Sequence, residues 1–206
     1  MRCERFRQWL IDRGCTVQPD RGERGRPASL TIRRGERQAT LPALGPDDPV
    51  DDRTVNQVVD RLGLARADLP GRWEHFPHEA DMGVRGIGCT LDRAFAEAAR
   101  AMTAVIVDPD EIRPETAVDI SCEGATAEDL LYAWLNALVY EMAVRRMIFG
   151  RFAVEIEGGA LRATATGEPV SQTRHEPAVE VKGATMTALS VRRSGDDWVA
   201  QCVVDV

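Results

Sequence analysis

The chain has 206 residues, 44% of them apolar and 29% charged, with a formal net charge of -7. That is room for one large domain or two small ones with an ordinary core-forming composition. No apolar run reaches the roughly 18–20 residues of a membrane span, and no apolar segment follows the basic opening to make a secretory leader. Five scattered cysteines (Cys3, Cys15, Cys89, Cys122, Cys202) without a C-x-x-C pair argue against a disulfide framework or a zinc knuckle and for a reducing cytoplasm. Residues 1–70 carry 13 Arg against 11 acidic residues, whereas the remainder carries 13 basic and 22 acidic ones. The split suggests two modules with different partners, although so small a positive excess does not establish nucleic-acid binding.

The first module reads as helix, three strands, helix. Phe6, Trp9, Leu10 and Ile11 give Arg5–Arg13 an apolar side, and Gly14 stops it. A strand over Cys15–Gln18 precedes the turn-rich Pro19–Pro27, and Ser29–Arg33 alternates with Leu30 and Ile32 on one face. Gly35-Glu36 turns the chain into Gln38–Leu41. After a Pro-rich stretch, Thr54 caps a helix with Val55, Val58, Val59 and Leu62 on one face, ended by Gly63. Ala65–Gly71 reads as a linker. This α-β-β-β-α order over residues 3–68 resembles the HicA-like toxins, a fold related to double-stranded-RNA-binding domains. Those proteins place a catalytic histidine in a Gly-Ser-His-His-like segment before the second strand. The matching stretch here is Gly25-Arg26-Pro27-Ala28-Ser29, and residues 1–70 contain no histidine. The resemblance therefore implies lost ribonuclease chemistry and an interaction appendage, with RNA as one candidate partner.

The second module opens with extended Trp73–Phe76 and continues through Arg85–Gly88. Thr90 caps a helix carrying Leu91, Ala94, Phe95, Ala98 and Met102 at helical spacing. Thr116–Cys122 alternates as a strand. Thr126-Ala-Glu-Asp129 is a capping box opening a helix whose buried stripe is Leu130, Leu131, Trp134, Leu135, Leu138 and Met142, with Arg145 and Arg146 at the negative end of its dipole. Arg151–Glu157 and Ala160–Gly167 form a hairpin about Gly158-Gly159. Two final strands are expected over Val179–Arg192 and Trp198–Val206. The fold class is α+β, an antiparallel sheet packed with two helices and preceded by the small α-β-β-β-α module.

No nucleotide or nucleophile motif is present: the chain lacks G-x-x-x-x-G-K-[ST], G-x-S-x-G and H-E-x-x-H. Gly86-Ile-Gly88 lacks the third glycine and the βαβ context of a dinucleotide fingerprint. What remains are polar residues in unusual places. Asp81 stands at a strand-to-loop transition before Gly83, where an aspartate is ordinarily a turn residue. Asp205 is the one acid in a final strand whose other residues are almost all apolar, and the chain stops at Val206, which brings the α-carboxylate near it. Together with Asp81 these groups would make an all-oxygen site for a hard cation. Lys182 is the only lysine among 26 basic residues, and lysine differs from arginine in geometry and pKa range.

These residues carry a second resemblance. His78-Glu79-Ala80-Asp81-Met82-Gly83-Val84 is similar to the His-Thr-Ala-Asp-Val-Gly opening of the archease family. Thr90-Leu-Asp-Arg-Ala-Phe95, Asp108-Pro109, the helix Glu128–Leu138, Gly167-Glu168-Pro169, His175, Glu180-Val-Lys-Gly-Ala184 and the ending Val203-Val204-Asp205-Val206 follow in the family's order, over residues 73–206. The resemblance implies a non-enzymatic partner of an RtcB-type RNA ligase, which uses GTP and divalent metal in tRNA splicing and RNA repair. It implies a metal ion, Ca²⁺ or Mg²⁺, at Asp81, Asp205 and the Val206 carboxylate, and a functional lysine at Lys182 that meets a phosphate or a carboxylate. His78 and His175 also match; both are read as hydrogen-bonding framework residues rather than ligands. Glu180 is expected to share a sheet face with Lys182. Glu79 and Met82 depart from the family's Thr and Val, and Met186 and Thr187 stand where an aromatic residue and a histidine are usual.

Overall fold

The computed structural model describes residues 1–21, 27–79 and 81–206. The chain divides into two compact units, Met1–Leu69 and Pro70–Val206.

In the first unit α1 (Cys3–Asp12) is followed by β1 (Thr16–Arg21), β2 (Pro27–Arg34), β3 (Arg37–Pro42) and α2 (Asp52–Arg61). The three strands form an antiparallel sheet in the order β1-β2-β3. Leu30, Ile32, Ala39 and Leu41 supply its buried face, and Phe6, Trp9 and Leu10 from α1 with Val55, Val58 and Val59 from α2 are buried as well. The N-cap of α2 is Asp51 rather than Thr54: the Asp51 carboxylate accepts from the Thr54 amide at 2.9 Å and from its hydroxyl at 2.7 Å. An aspartate three residues upstream reaches the third helical amide, and Thr54 sits inside the first turn. The expected linker is instead partly ordered, with a 3₁₀ turn at Arg66–Asp68 and Leu69 buried. Gly25-Arg26 and most of the turn-rich segment expected before β2 lie outside the described residues.

The second unit runs β4 (Gly71–His78), β5 (Asp81–Gly88), α3 (Leu91–Ile106), β6 (Thr116–Glu123), α4 (Ala127–Arg145), β7 (Met147–Glu157), β8 (Ala160–Pro169), α5 (Gln172–His175), β9 (Gly183–Ala184), β10 (Ser190–Ser194) and β11 (Asp197–Asp205). Its described residues form two antiparallel sheets where one was expected. One has the order β10-β11-β5-β4 with β9 beside β11, and the other is β6-β8-β7. Thr90 accepts from the Arg93 amide to cap α3, and both bonds of the Thr126–Asp129 capping box form at the start of α4. Apolar side chains from α3, α4 and both sheets meet in one core centred on Phe95, Met102, Trp134, Leu138 and Phe149. The β7–β8 hairpin turns on Gly158 and Gly159, with φ of +60° and +84°, the left-handed pair that a tight hairpin demands.

Gly86 is dictated by packing: a Cβ there would lie 2.1 Å from the Ala94 carbonyl oxygen and 2.2 Å from the Ala98 amide nitrogen. Helix α3 rides directly on β5, which its alanine-rich face permits. The expected long strand over Val179–Arg192 does not form. Only Gly183–Ala184 and Ser190–Ser194 pair, because the chain turns between them, with Ala188 at φ +52° and the Thr185 hydroxyl donating to the Val203 carbonyl. Glu180 and Lys182 consequently do not share a strand face. No helix among the described residues is long and apolar enough to cross a membrane, and all five cysteines are free thiols.

Candidate metal centre

The register of β4, β5 and β11 fixes the site. Glu74 pairs with Arg85 and Arg85 with Gln201; Phe76 pairs with Gly83 and Gly83 with Val203. Arg85 confirms the shared face by donating to Gln201 at 2.8 Å and to Glu74 at 2.6 Å. Side chains alternate along each strand, so the next rung on that face is His78, Asp81 and Asp205. His78 pairs with Asp81 across the β4–β5 hairpin, and Asp205 follows the Val204–Met82 pair by one residue. The recorded β5–β11 pairing ends at Val204–Met82, so Asp81 and Asp205 each lie one residue beyond its last rung, where directly opposed Cβ atoms would be about 5 Å apart. Both are half-buried. Glu79, in the hairpin turn, has φ +43° and is exposed, and Ala80 lies outside the described residues.

On the other side of β11, Asp205 pairs with Gly183. The Lys182 amide donates to the Asp205 carbonyl at 2.9 Å. Its Nζ donates to the Val206 main-chain oxygen at 2.8 Å and stands 3.9 Å from Asp205 Oδ1. The structure thus gathers Asp205, Val206 and Lys182, while Asp81 pairs with His78 and lies one residue beyond the last β5–β11 pair. Sequence reading overlooked what holds the lysine-bearing segment. Asn136 on α4 accepts from the Ala184 amide and donates to the Ala184 carbonyl, each at 3.1 Å, and so clamps the two-residue strand β9 to the helix. The only hint was an amide in an otherwise apolar stretch of α4.

The donor set suits a hard cation. Carboxylate and main-chain oxygens are the ligands that Ca²⁺ and Mg²⁺ take, and the ammonium of Lys182 already lies against two of these oxygens. His78 adds a buried Nδ1 with no hydrogen-bond partner among the described residues. No group of three or more His, Cys, Asp and Glu side chains able to hold a metal gathers among the described residues. A cation here would complete its shell with main-chain oxygen, water or a ligand's oxygens, as Mg²⁺ commonly does.

His175 is elsewhere, in a buried cluster. Its Nδ1 accepts from the Ser171 amide at 2.9 Å, and its Nε2 lies 3.5 Å from the Glu168 carboxylate. Glu168 is ion-paired with Arg174 and accepts from the Arg113 amide at 2.6 Å. Burial acts to raise the pKa of Glu168, but the Arg113 hydrogen bond and the Arg174 guanidinium outweigh it and hold the carboxyl below its ordinary value. His175 thus takes part in a hydrogen-bonded network away from Asp81 and Asp205.

The comparisons with known proteins agree on one assignment. The sequence model of the Archease protein family matches residues 73–206. The archease of Pyrococcus furiosus is 40% identical over 140 residues, 66% of this chain and 99% of that protein. Those of Pyrococcus abyssi and Methanopyrus kandleri are each 36% identical over 99% of their length and 66% and 65% of this chain. The solution structure of Methanobacterium thermoautotrophicum protein 1598 superposes with a TM-score of 0.55 at 24% identity, covering 65% of this chain and 98% of that one, which supports the fold. The described site lies wholly within the matched residues, and the chain belongs to the archease family.

Proposed function

We propose that this protein is a non-enzymatic activator of an RtcB-type RNA ligase in tRNA splicing or RNA repair, promoting guanylylation of the ligase and its multiple turnover. The observation that supports the reading is Lys182 set against Asp205 and Val206, with the β5–β11 register running up to Val204–Met82, one residue short of Asp205 and Asp81, which come from the last and first motifs of the family match. In this reading Asp81, Asp205 and the Val206 oxygen hold a Ca²⁺ or Mg²⁺ ion, which supplies a fixed positive charge for phosphate oxygens. The incomplete protein shell leaves positions for such oxygens, and Lys182 adds a point charge for an anion. In this reading Lys182 acts as a charge and not as a nucleophile, and the covalent chemistry with GTP belongs to the ligase. The reaction takes place in the cytoplasm.

The test is multiple-turnover RNA ligation with GTP by the ligase of the same organism, with and without this protein. Stimulation that is lost in Asp81→Ala and in Asp205→Ala, with far-UV circular dichroism unchanged, supports both the partner and the site. Stimulation retained in both variants removes the site, and no stimulation by the native chain removes the partner.

A second reading concerns the first unit. Its α1-β1-β2-β3-α2 order is that of the HicA-like module, a candidate RNA binder. A fragment of residues 1–70 is expected to leave RNA uncleaved, since it lacks a histidine; cleavage by that fragment would restore a toxin-like role.

A further inference from the structure

We propose that Lys182 is a built-in competitor for the cation, occupying the Asp205 and Val206 oxygens at rest and giving them up when a divalent ion is bound, so that its ammonium becomes free for an anionic group. The inference rests on the cation reading above and adds to it a coupling between cation and anion binding.

Three observations carry it. First, Nζ of Lys182 lies 2.8 Å from the Val206 oxygen and 3.9 Å from Asp205 Oδ1, on oxygens the cation would need. A hard cation sits roughly 2.0–2.6 Å from its oxygens. Sharing the Val206 oxygen would therefore hold two positive centres within about 5 Å of each other, a repulsion that expels the more weakly held one. Second, the main chain beneath the lysine is fixed. Its amide is bonded to the Asp205 carbonyl, Gly183 pairs with Asp205, and Ala184 is clamped by Asn136. The exchange needs only rotation of the side chain. Third, that side chain is 62% exposed, and its carboxylate partner is 50% exposed. An ion pair so open to water is weak and readily displaced. Because coupling is reciprocal, an anion that draws the ammonium away must tighten cation binding by the same factor by which the cation favours the anion.

The single lysine makes the test clean. Full-length protein carrying ¹³C at lysine Cε gives one lysine side-chain signal, to be followed as Ca²⁺ is added, with Ca²⁺ affinity measured in parallel by calorimetry. In the native chain the signal should shift and sharpen with the same midpoint as the calorimetric binding. Lys182→Met should bind Ca²⁺ about tenfold tighter, within the usual span of site-to-site coupling. In Asp81→Ala, Ca²⁺ binding should be lost and the lysine signal should stay in place. Unchanged or weaker Ca²⁺ affinity in Lys182→Met overturns the inference while leaving the cation site intact, as does tighter binding with an unmoved lysine signal in the native chain. Absence of Ca²⁺ binding in both the native chain and Lys182→Met overturns the cation reading and this inference together.

Discussion

Two buried glutamates show how one residue type can act in opposite senses. Glu168 is held charged by the Arg113 amide, Arg174 and His175. Its folded pKa is lowered, so its contribution to stability is present above the unfolded glutamate value of about 4.3 and is lost as pH falls through the folded value. Glu168→Gln leaves the partly exposed Arg174 without its counter-charge and weakens the bond from the Arg113 amide, and should cost about 1–2 kcal/mol in urea unfolding at pH 7, the gap to the native chain narrowing in acid. Glu97 lies against Arg93 at 2.5 Å and Arg100 at 3.9 Å, yet neither of its oxygens has a hydrogen-bond partner among the described residues. Burial pushes its carboxyl above the usual value despite those arginines. A raised carboxyl pKa means that stability declines as pH rises from the unfolded value through the folded one. Glu97→Gln should therefore cost less than Glu168→Gln at pH 7, measured in the same way. Asn136 acts by position. Asn136→Ala removes both bonds to Ala184, and should abolish hydrogen-exchange protection of the Ala184 amide and, under the proposed function, lower ligase stimulation several-fold without unfolding the chain.

At the scale of elements, packing rather than motif explains the glycines of β5. Gly86→Ala should force α3 off the strand, costing roughly 3 kcal/mol, read as a lowered urea midpoint with an unchanged slope. The sequence placed α3 and α4 well because their caps are local: Thr90 reaches Arg93 and Thr126 reaches Asp129, each three residues away. The β7–β8 hairpin was legible for the same reason. Asp51 and Thr54 both carry capping chemistry within four residues, and only the folded backbone chooses between them. The segment 179–192 misled because its apolar alternation satisfies a strand, whereas its actual pairing depends on β11 and on an asparagine 48 residues upstream of Ala184. Asp81 and Asp205 stood out as acids in odd surroundings. Their proximity in the proposed site depends on the register of β5 with β11, which links residues more than 100 positions apart and has no local signature.

At the scale of the whole molecule, the family's share, residues 73–206, falls within the second unit, Pro70–Val206. The Pyrococcus furiosus relative aligns over 99% of its own length with 66% of this chain, so a protein of that size folds without the first unit. A fragment of residues 70–206 should accordingly stimulate the ligase to within about twofold of the full chain under conditions of excess activator, checked in the same turnover assay; a larger loss would assign the first unit a part in the partnership. The rung on which the site is built also governs how the gene can drift. Because strand side chains alternate, inserting one codon within residues 199–204 would swing Asp205 toward the hydrophobic interior and turn its apolar neighbour outward in its place. Inserting two would restore the facing but move the acid one rung along, away from Asp81. The turn at Ser194–Asp197 joins β10 to β11 on the far side of that ladder and carries no such constraint. Length variation among descendants of this sequence should accumulate in that turn and be purged from the strand that follows it.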